Sequence, residues 1–133
     1  MKIQLTKLLP LGVLGIVIAT ALACSTVQET GRRQVQLFSD AEVSRMGLTE
    51  FSKMKQSMKI SHHAGYNAAV QRVGSQLSQV IAIPHAEWEF VVFDDPTPNA
   101  FALPGGKVGV HTGLFQITQN DAGLAAVIGH EVA

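Results

Sequence analysis

The chain is short of cysteine, of charge and of any surplus of one sign, and each shortage closes off a class of protein. Cys24 is the only cysteine, so no disulfide framework can staple the chain internally. Ten basic and ten acidic side chains cancel, charged residues make up 15% of the sequence, and no basic cluster stands out, so there is no footprint for nucleic acid. A long apolar run is missing too. The stretch from Leu8 to Ala23 is broken by Pro10 and Gly12, short of the roughly 20 apolar residues that span a bilayer, and polar sequence follows it.

What the N-terminus does have is Lys2 and Lys7 ahead of that apolar run, then Ala21-Leu22-Ala23-Cys24, the pattern of a secretion signal over residues 1–23. Two readings of Cys24 stand. In one, the segment resembles the lipobox of bacterial lipoproteins, and the Cys24 thiol carries lipid. In the other, ordinary cleavage after Ala21-x-Ala23 leaves Cys24 as an unpaired first residue. An odd cysteine in a secreted chain asks for a specific use, which favours lipidation. Ser25 follows the cysteine where inner-membrane retention has an aspartate, so the lipoprotein reading points to the periplasmic side of the outer membrane, with soluble periplasmic as the alternative. Without Lys2 and Lys7, eight basic residues face ten acidic ones over Cys24 to Ala133. A near-neutral surface gives little electrostatic adhesion to lipid, so the acyl chains would be the membrane contact.

The 133 residues, 47% of them hydrophobic, fit one globular domain once the leader is removed. Residues 24–38 are polar and without sustained period. They read either as a tether or as a strap packed through Val35, Leu37 and Phe38. The domain proper runs over 39–133. Ser39-Asp40-Ala41-Glu42 is a capping box, and the stripe Val43, Met46, Gly47, Phe51, Met54 and Met58 predicts a helix, its methionines being core filler rather than ligands. His62 and His63 fall in a turn, where adjacent residues diverge and solvent is the expected partner. A second helix from about Ala64 presents Tyr66, Ala69, Val70, Val73, Leu77, Val80 and Ile81, and Pro84 closes it.

Beyond Pro84 the period becomes two. Trp88, Phe90 and Val92 alternate with Glu89, Val91 and Phe93, a strand with one strongly apolar face, and Asp94-Asp95-Pro96-Thr97-Pro98 is a turn. Asn99-Ala100-Phe101-Ala102-Leu103 and Lys107-Val108-Gly109-Val110-His111 flank Pro104-Gly105-Gly106 as a hairpin, with small residues at Ala100, Ala102 and Gly109 that let another backbone come close. His111 reads as structural or solvated. Asn120 or Asp121 caps a last helix with Leu124, Val127 and Ile128 buried. Gly123 and Gly129 each cost that helix about 1 kcal/mol relative to alanine unless they serve packing, and Gly129 is placed to allow close approach behind a metal. The class is therefore α+β: two helices, a small antiparallel sheet or hairpin, and a final helix.

That helix carries His130-Glu131 near its end. Residues four apart share a helix face, so an HExxH pattern sets two imidazoles on one metal with a carboxylate beside them. The chain supplies the first two of those positions. A His-Glu pair alone is weak evidence, and the order of elements carries more: strand, turn, Asn99-Ala100-Phe101, Pro104-Gly105-Gly106, strand, Thr112-Gly113-Leu114, helix, Gly129-His130-Glu131. This order resembles the zinc metallopeptidases of the HtpX, LoiP and BepA type, the family numbered forty-eight among metallopeptidases, and Thr30-Gly31-Arg32-Arg33-Gln34 resembles its periplasmic lipoprotein branch.

The resemblance implies a zincin-like fold cut within its active-site helix, one Zn²⁺, and endopeptidase action on misfolded or membrane-associated proteins of the bacterial envelope. It makes His130 the first zinc ligand and Glu131 the general base. Protein or peptide substrates would add to an edge of the hairpin around Asn99, Ala100, Phe101, Gly105 and Gly106. The second histidine position falls after Ala133, so the 133-residue polypeptide is expected to bind zinc poorly, to be inactive by itself and to melt without a sharp transition. A noncatalytic outer-membrane lipoprotein that holds a partner through the same hairpin edge is the alternative.

Overall fold

The computed structural model describes residues 24–26, 33–35 and 37–133. The signal-peptide reading of 1–23 and most of the Thr30–Gln34 resemblance lie outside those residues. Two compact units divide at Ser39 and Asp40. In the first, β1 (Cys24–Thr26) pairs antiparallel with β2 (Arg33–Val35), within the segment read from sequence as a tether. Leu37 and Phe38 are exposed.

The second unit begins with α1 (Asp40–Ser57) and α2 (Ala64–Val80), followed by β3 (Glu89–Phe93), β4 (Ala100–Leu103) and β5 (Lys107–His111). A 3-10 turn at Thr112–Leu114 leads into α3 (Phe115–Thr118) and α4 (Asp121–Val132). Helix α1 starts where the capping box places it. Its stripe is buried at Gly47 and Phe51, but Met46, expected inside, is exposed. Val80 departs in the same way, at the last residue of α2.

The α+β class holds, with one difference inside the sheet. Its order is β3-β5-β4. Strands β4 and β5 form the expected antiparallel hairpin, Ala100 opposite Val110 and Leu103 opposite Lys107, while β3 runs parallel to β5 with Glu89 opposite Lys107 and Phe93 opposite His111. The sheet is mixed because β3 reaches its place through the long Asp94–Asn99 connection rather than a tight turn, and only a tight turn forces neighbours antiparallel.

All five residues of β5 are buried, because helices cover both faces. On one face Val92, Ala100, Val108 and Val110 pack with Val70 and Val73 of α2 and Leu124 and Ile128 of α4. On the other, Phe51 of α1 meets Phe93 and Phe101 edge-to-face at 6.2 and 6.4 Å. Thus β3 has two apolar faces, where alternation from Trp88 suggested one. Polar members of β5 are neutralised on the α1 face: Lys107 Nζ donates to the Glu87 carbonyl and lies 3.8 Å from the Glu89 carboxylate, which also pairs with Lys55.

Two glycines make this layering possible. A Cβ on Gly109 would strike the Phe101 ring, so the small residue admits an aromatic ring and not, as the sequence suggested, another backbone. A Cβ on Gly47 would strike the Pro104 carbonyl oxygen, so α1 sits directly on the hairpin tip. The tip itself turns through Gly105 and Gly106, with φ of 82° and 77°, where a side chain would be strained.

Gly47→Ala should therefore destabilise the domain by about 1 to 3 kcal/mol through overpacking against rigid backbone. Gly129→Ala, whose Cβ meets nothing within 4 Å, should be neutral or slightly stabilising. Urea titrations of the two variants check the contrast, and equal midpoints would refute the close approach at Gly47.

Candidate functional site

Helix α4 is placed by its start. Asn120 is the N-cap, its side-chain oxygen accepting from the Gly123 N–H at 2.9 Å, which satisfies one of the donors a helix N-terminus leaves open. Arg72 of α2 then grips Asp121 with two bonds, 2.6 and 2.8 Å. The hydrogen bond from Arg72 holds the Asp121 carboxyl below the usual carboxylate range. Asp121 in turn raises Arg72. From this anchor, Leu124 and Ile128 turn into the core.

At 100° per residue, His130 lies about 200° round the helix from Ile128. It is accordingly exposed, and so is Glu131. Neither side chain takes part in a hydrogen bond or ion pair among the described residues. Gly129, expected to let something pack closely, has nothing within 4 Å of the place its Cβ would take. Clefts of about 350 and 160 Å³ adjoin Tyr66, and neither is lined by His130 or Glu131.

An imidazole and a carboxylate side by side, outward and unengaged, fit a zinc ion in donor chemistry. They fall short in number, since zinc sites take three or four protein ligands. Among the described residues no group of three or more His, Cys, Asp or Glu side chains is gathered for a metal. Nor does any described helix have the length and apolarity to cross a membrane.

The hairpin carries the other residues expected from sequence to belong to the site. Strand β4 is one of the sheet's two outer strands, with β3 on the other side of β5. His111 N–H donates to the Asn99 carbonyl at 2.9 Å, which with the antiparallel register makes Asn99, Phe101 and Leu103 the residues bonded to β5. By alternation, the N–H and C=O of Ala100 and Ala102 point to the free edge, and no hydrogen bond from another described residue reaches them. Ala102, read from sequence as a small residue that lets a backbone come close, was not among the edge residues expected to meet substrate. Strand register, which would have shown it, is not visible in composition. The carbonyls of Gly105 and Gly106 are taken, by the N–H groups of Glu87 and Glu89 at 3.0 Å each.

The turn before β4 is held firmly. Asp95 N–H and carbonyl both bond Thr112 Oγ1, Gly113 N–H donates to the Asp95 carbonyl, and a Cβ on Gly113 would hit the Pro96 carbonyl. The Thr97 N–H bonded to the Asp95 side chain lowers that carboxyl's pKa. His63, read as a solvated turn residue, has a structural task. Its Nδ1 accepts from Tyr66 N–H as the N-cap of α2, and its ring stacks on Tyr66 at 3.8 Å, which stacks in turn on Phe115 at 4.0 Å. The histidine N-cap was missed because that role is usually played by Ser, Thr, Asp or Asn.

Residues 65–133, more than half of the chain, match the family described as Peptidase family M48. Over 64 residues the chain is 47% identical to the mitochondrial metalloendopeptidase OMA1 of Schizosaccharomyces pombe, a match covering 48% of this chain and 19% of that protein. It is 30% identical over 111 residues to the mitochondrial metalloendopeptidase OMA1 of Danio rerio, covering 78% and 23%. It is 34% identical over 67 residues to a putative beta-barrel assembly-enhancing protease of Vibrio cholerae, covering 50% and 14%. The chain thus spans less than a quarter of the length of these curated relatives.

The Arg72–Asp121 fork yields a pH prediction. A carboxyl depressed in the folded state contributes stability above its unfolded pKa of about 4, and that contribution disappears as pH falls through the folded value. Arg72→Ala should therefore melt below the parent at pH 7, and the gap should close as the pH is taken below the ordinary carboxylate range. A gap that widens on acidification would refute the pairing.

Proposed function

Because the chain belongs to peptidase family M48, we propose that it is the part of a zinc-dependent endopeptidase that carries the first half of the metal site and the substrate-binding edge. One observation supports this above others: the family match runs onto α4, whose last turn turns His130 and Glu131 out of the core together. In this reading His130 is a zinc ligand. Bound zinc would polarise the scissile carbonyl and acidify water. Glu131 accepts the proton of the attacking water and delivers it to the leaving amine. The chain's remaining contribution is to hold the substrate.

An extended segment adds to the outer edge of β4 through the outward peptide groups of Ala100 and Ala102, with Asn99 and Phe101 holding that edge to β5. Gly105 and Gly106 shape the tip. Backbone pairing tolerates many sequences, which suits a protease acting on misfolded or membrane-associated proteins. The setting we propose is the bacterial envelope, with Cys24 lipidated after removal of residues 1–23 and residues 24–38 linking the anchor to the domain. The Lys2–Cys24 pattern supports this, as does the likeness to a putative beta-barrel assembly-enhancing protease of Vibrio cholerae.

In the full-length protein, Glu131→Gln should lower the turnover of unfolded casein by about 10² to 10⁴, the usual contribution of a general base, with zinc content by atomic absorption unchanged. Undiminished turnover would sink the assigned role. For the anchor, Cys24→Ser should abolish incorporation of radiolabelled palmitate and move the protein from the membrane to the soluble fraction. Palmitate retained by the variant would exclude Cys24 as the acceptor.

A further inference from the structure

His111 ends the central strand with its side chain buried. Its Nδ1 lies 3.2 Å from the Thr97 carbonyl oxygen. A carbonyl only accepts, so Nδ1 carries the hydrogen. A neutral imidazole has one N–H, which leaves Nε2 with a bare lone pair. Among the described residues, Nε2 is the buried side-chain polar atom without a partner. A buried acceptor left without a donor is unfavourable, and His111 holds this state while making one contact with each of three residues of the neighbouring segment. Its ring nitrogen meets Thr97, its backbone N–H meets Asn99, and its ring meets Phe101 edge-to-face at 6.1 Å. Those residues bracket Ala100.

We propose that His111 is a positioning residue for the substrate edge: as the Nδ1–H tautomer it ties Thr97, Asn99 and Phe101 to β5, fixing the depth at which Ala100 and Ala102 offer their peptide groups. The inference rests on the reading that substrate adds to β4. Asp95 Oδ2 stands 3.7 Å from the same Nδ1, while the other carboxylate oxygen, Oδ1, accepts from the Thr97 N–H at 2.8 Å. Carboxylate and imidazole therefore hold opposite ends of residue 97, one its N–H and the other its C=O. Strand β4 is entered from a residue fixed at both peptide groups, which suits a surface that must meet a flexible partner without first ordering itself.

The shape of the ring sets the test. The amide nitrogen of asparagine falls near the position of imidazole Nδ1 and can donate to Thr97. That of glutamine falls nearer Nε2 and cannot. With the ¹⁵N-labelled chain, a long-range ¹H–¹⁵N spectrum should show His111 protonated at Nδ1 and bare at Nε2. Unfolded β-casein should slow amide exchange at Ala100 and Ala102. His111→Ala should weaken casein binding about tenfold, on the scale of one lost net hydrogen bond. His111→Asn should recover to within about threefold of the parent, and His111→Gln should stay near the alanine variant.

An Nε2–H tautomer would overturn the proposal. So would equal casein binding by all four proteins, or losses that follow melting temperature and ignore the asparagine and glutamine difference. If casein leaves Ala100 and Ala102 exchange unchanged in the parent, the edge reading falls and takes this role with it. If the parent binds there and every variant binds equally, only the role of His111 falls.

Discussion

The burial of β5 on both faces is the constraint from which the rest of the domain follows. A strand with helices above and below has no solvent side, so every side chain it carries must be apolar, absent or individually paired. Val108 and Val110 meet the first condition against α2 and α4. Gly109 meets the second beneath the Phe101 ring. Lys107 and His111 meet the third, through the Glu87 carbonyl with Glu89 and through the Thr97 carbonyl. The pairing is local in each case, so the loops on either side of the sheet are held by the polar residues at the two ends of its central strand.

This arrangement explains how a modest domain can present chemistry on a rigid support. Helix α4 spends Leu124 and Ile128 on the core and is pinned at its start by Asn120 and Asp121, so the direction of its last turn is set by helical periodicity alone. His130 and Glu131 face outward as a consequence of that period. Strand β4 lies against α4 and contributes Ala100 to the same core, which brings the helix that carries His130 and Glu131 and the free sheet edge into one packed layer. Under the function proposed above, that adjacency would relate a reactive centre to the backbone of an extended substrate.

Much of this was legible from residue order. The capping box at Ser39 locates α1, the positive φ of Gly105 and Gly106 follows from a glycine pair at a hairpin tip, and the Asn99 to Leu114 block with His130 and Glu131 points to the family. What the sequence hid depends on partners distant along the chain. Parallel pairing of β3 arises from a connection whose length is visible but whose path is not. Exposure of Met46 and Val80 shows that an apolar stripe has margins that periodicity does not draw. The cap at His63 and the clamp at His111 use imidazole nitrogens as ordinary hydrogen-bonding atoms. Composition cannot separate that use from metal ligation or solvation. The proposed site is only half legible for a different reason: a metal centre is a convergence of separate segments, and α4 is the segment proposed for it.

The outward peptide groups of β4 recur at every second residue, at Ala100 and then Ala102. A partner strand shifted by two residues meets the same donors and acceptors with the same side chains facing each way, whereas a shift of one reverses its faces. If substrate adds to β4 as proposed, the edge reads the guest chain in dipeptide steps, and successive bonds broken on one unfolded segment differ by an even number of residues, a spacing set by the pleat of a strand and independent of what the guest's sequence says.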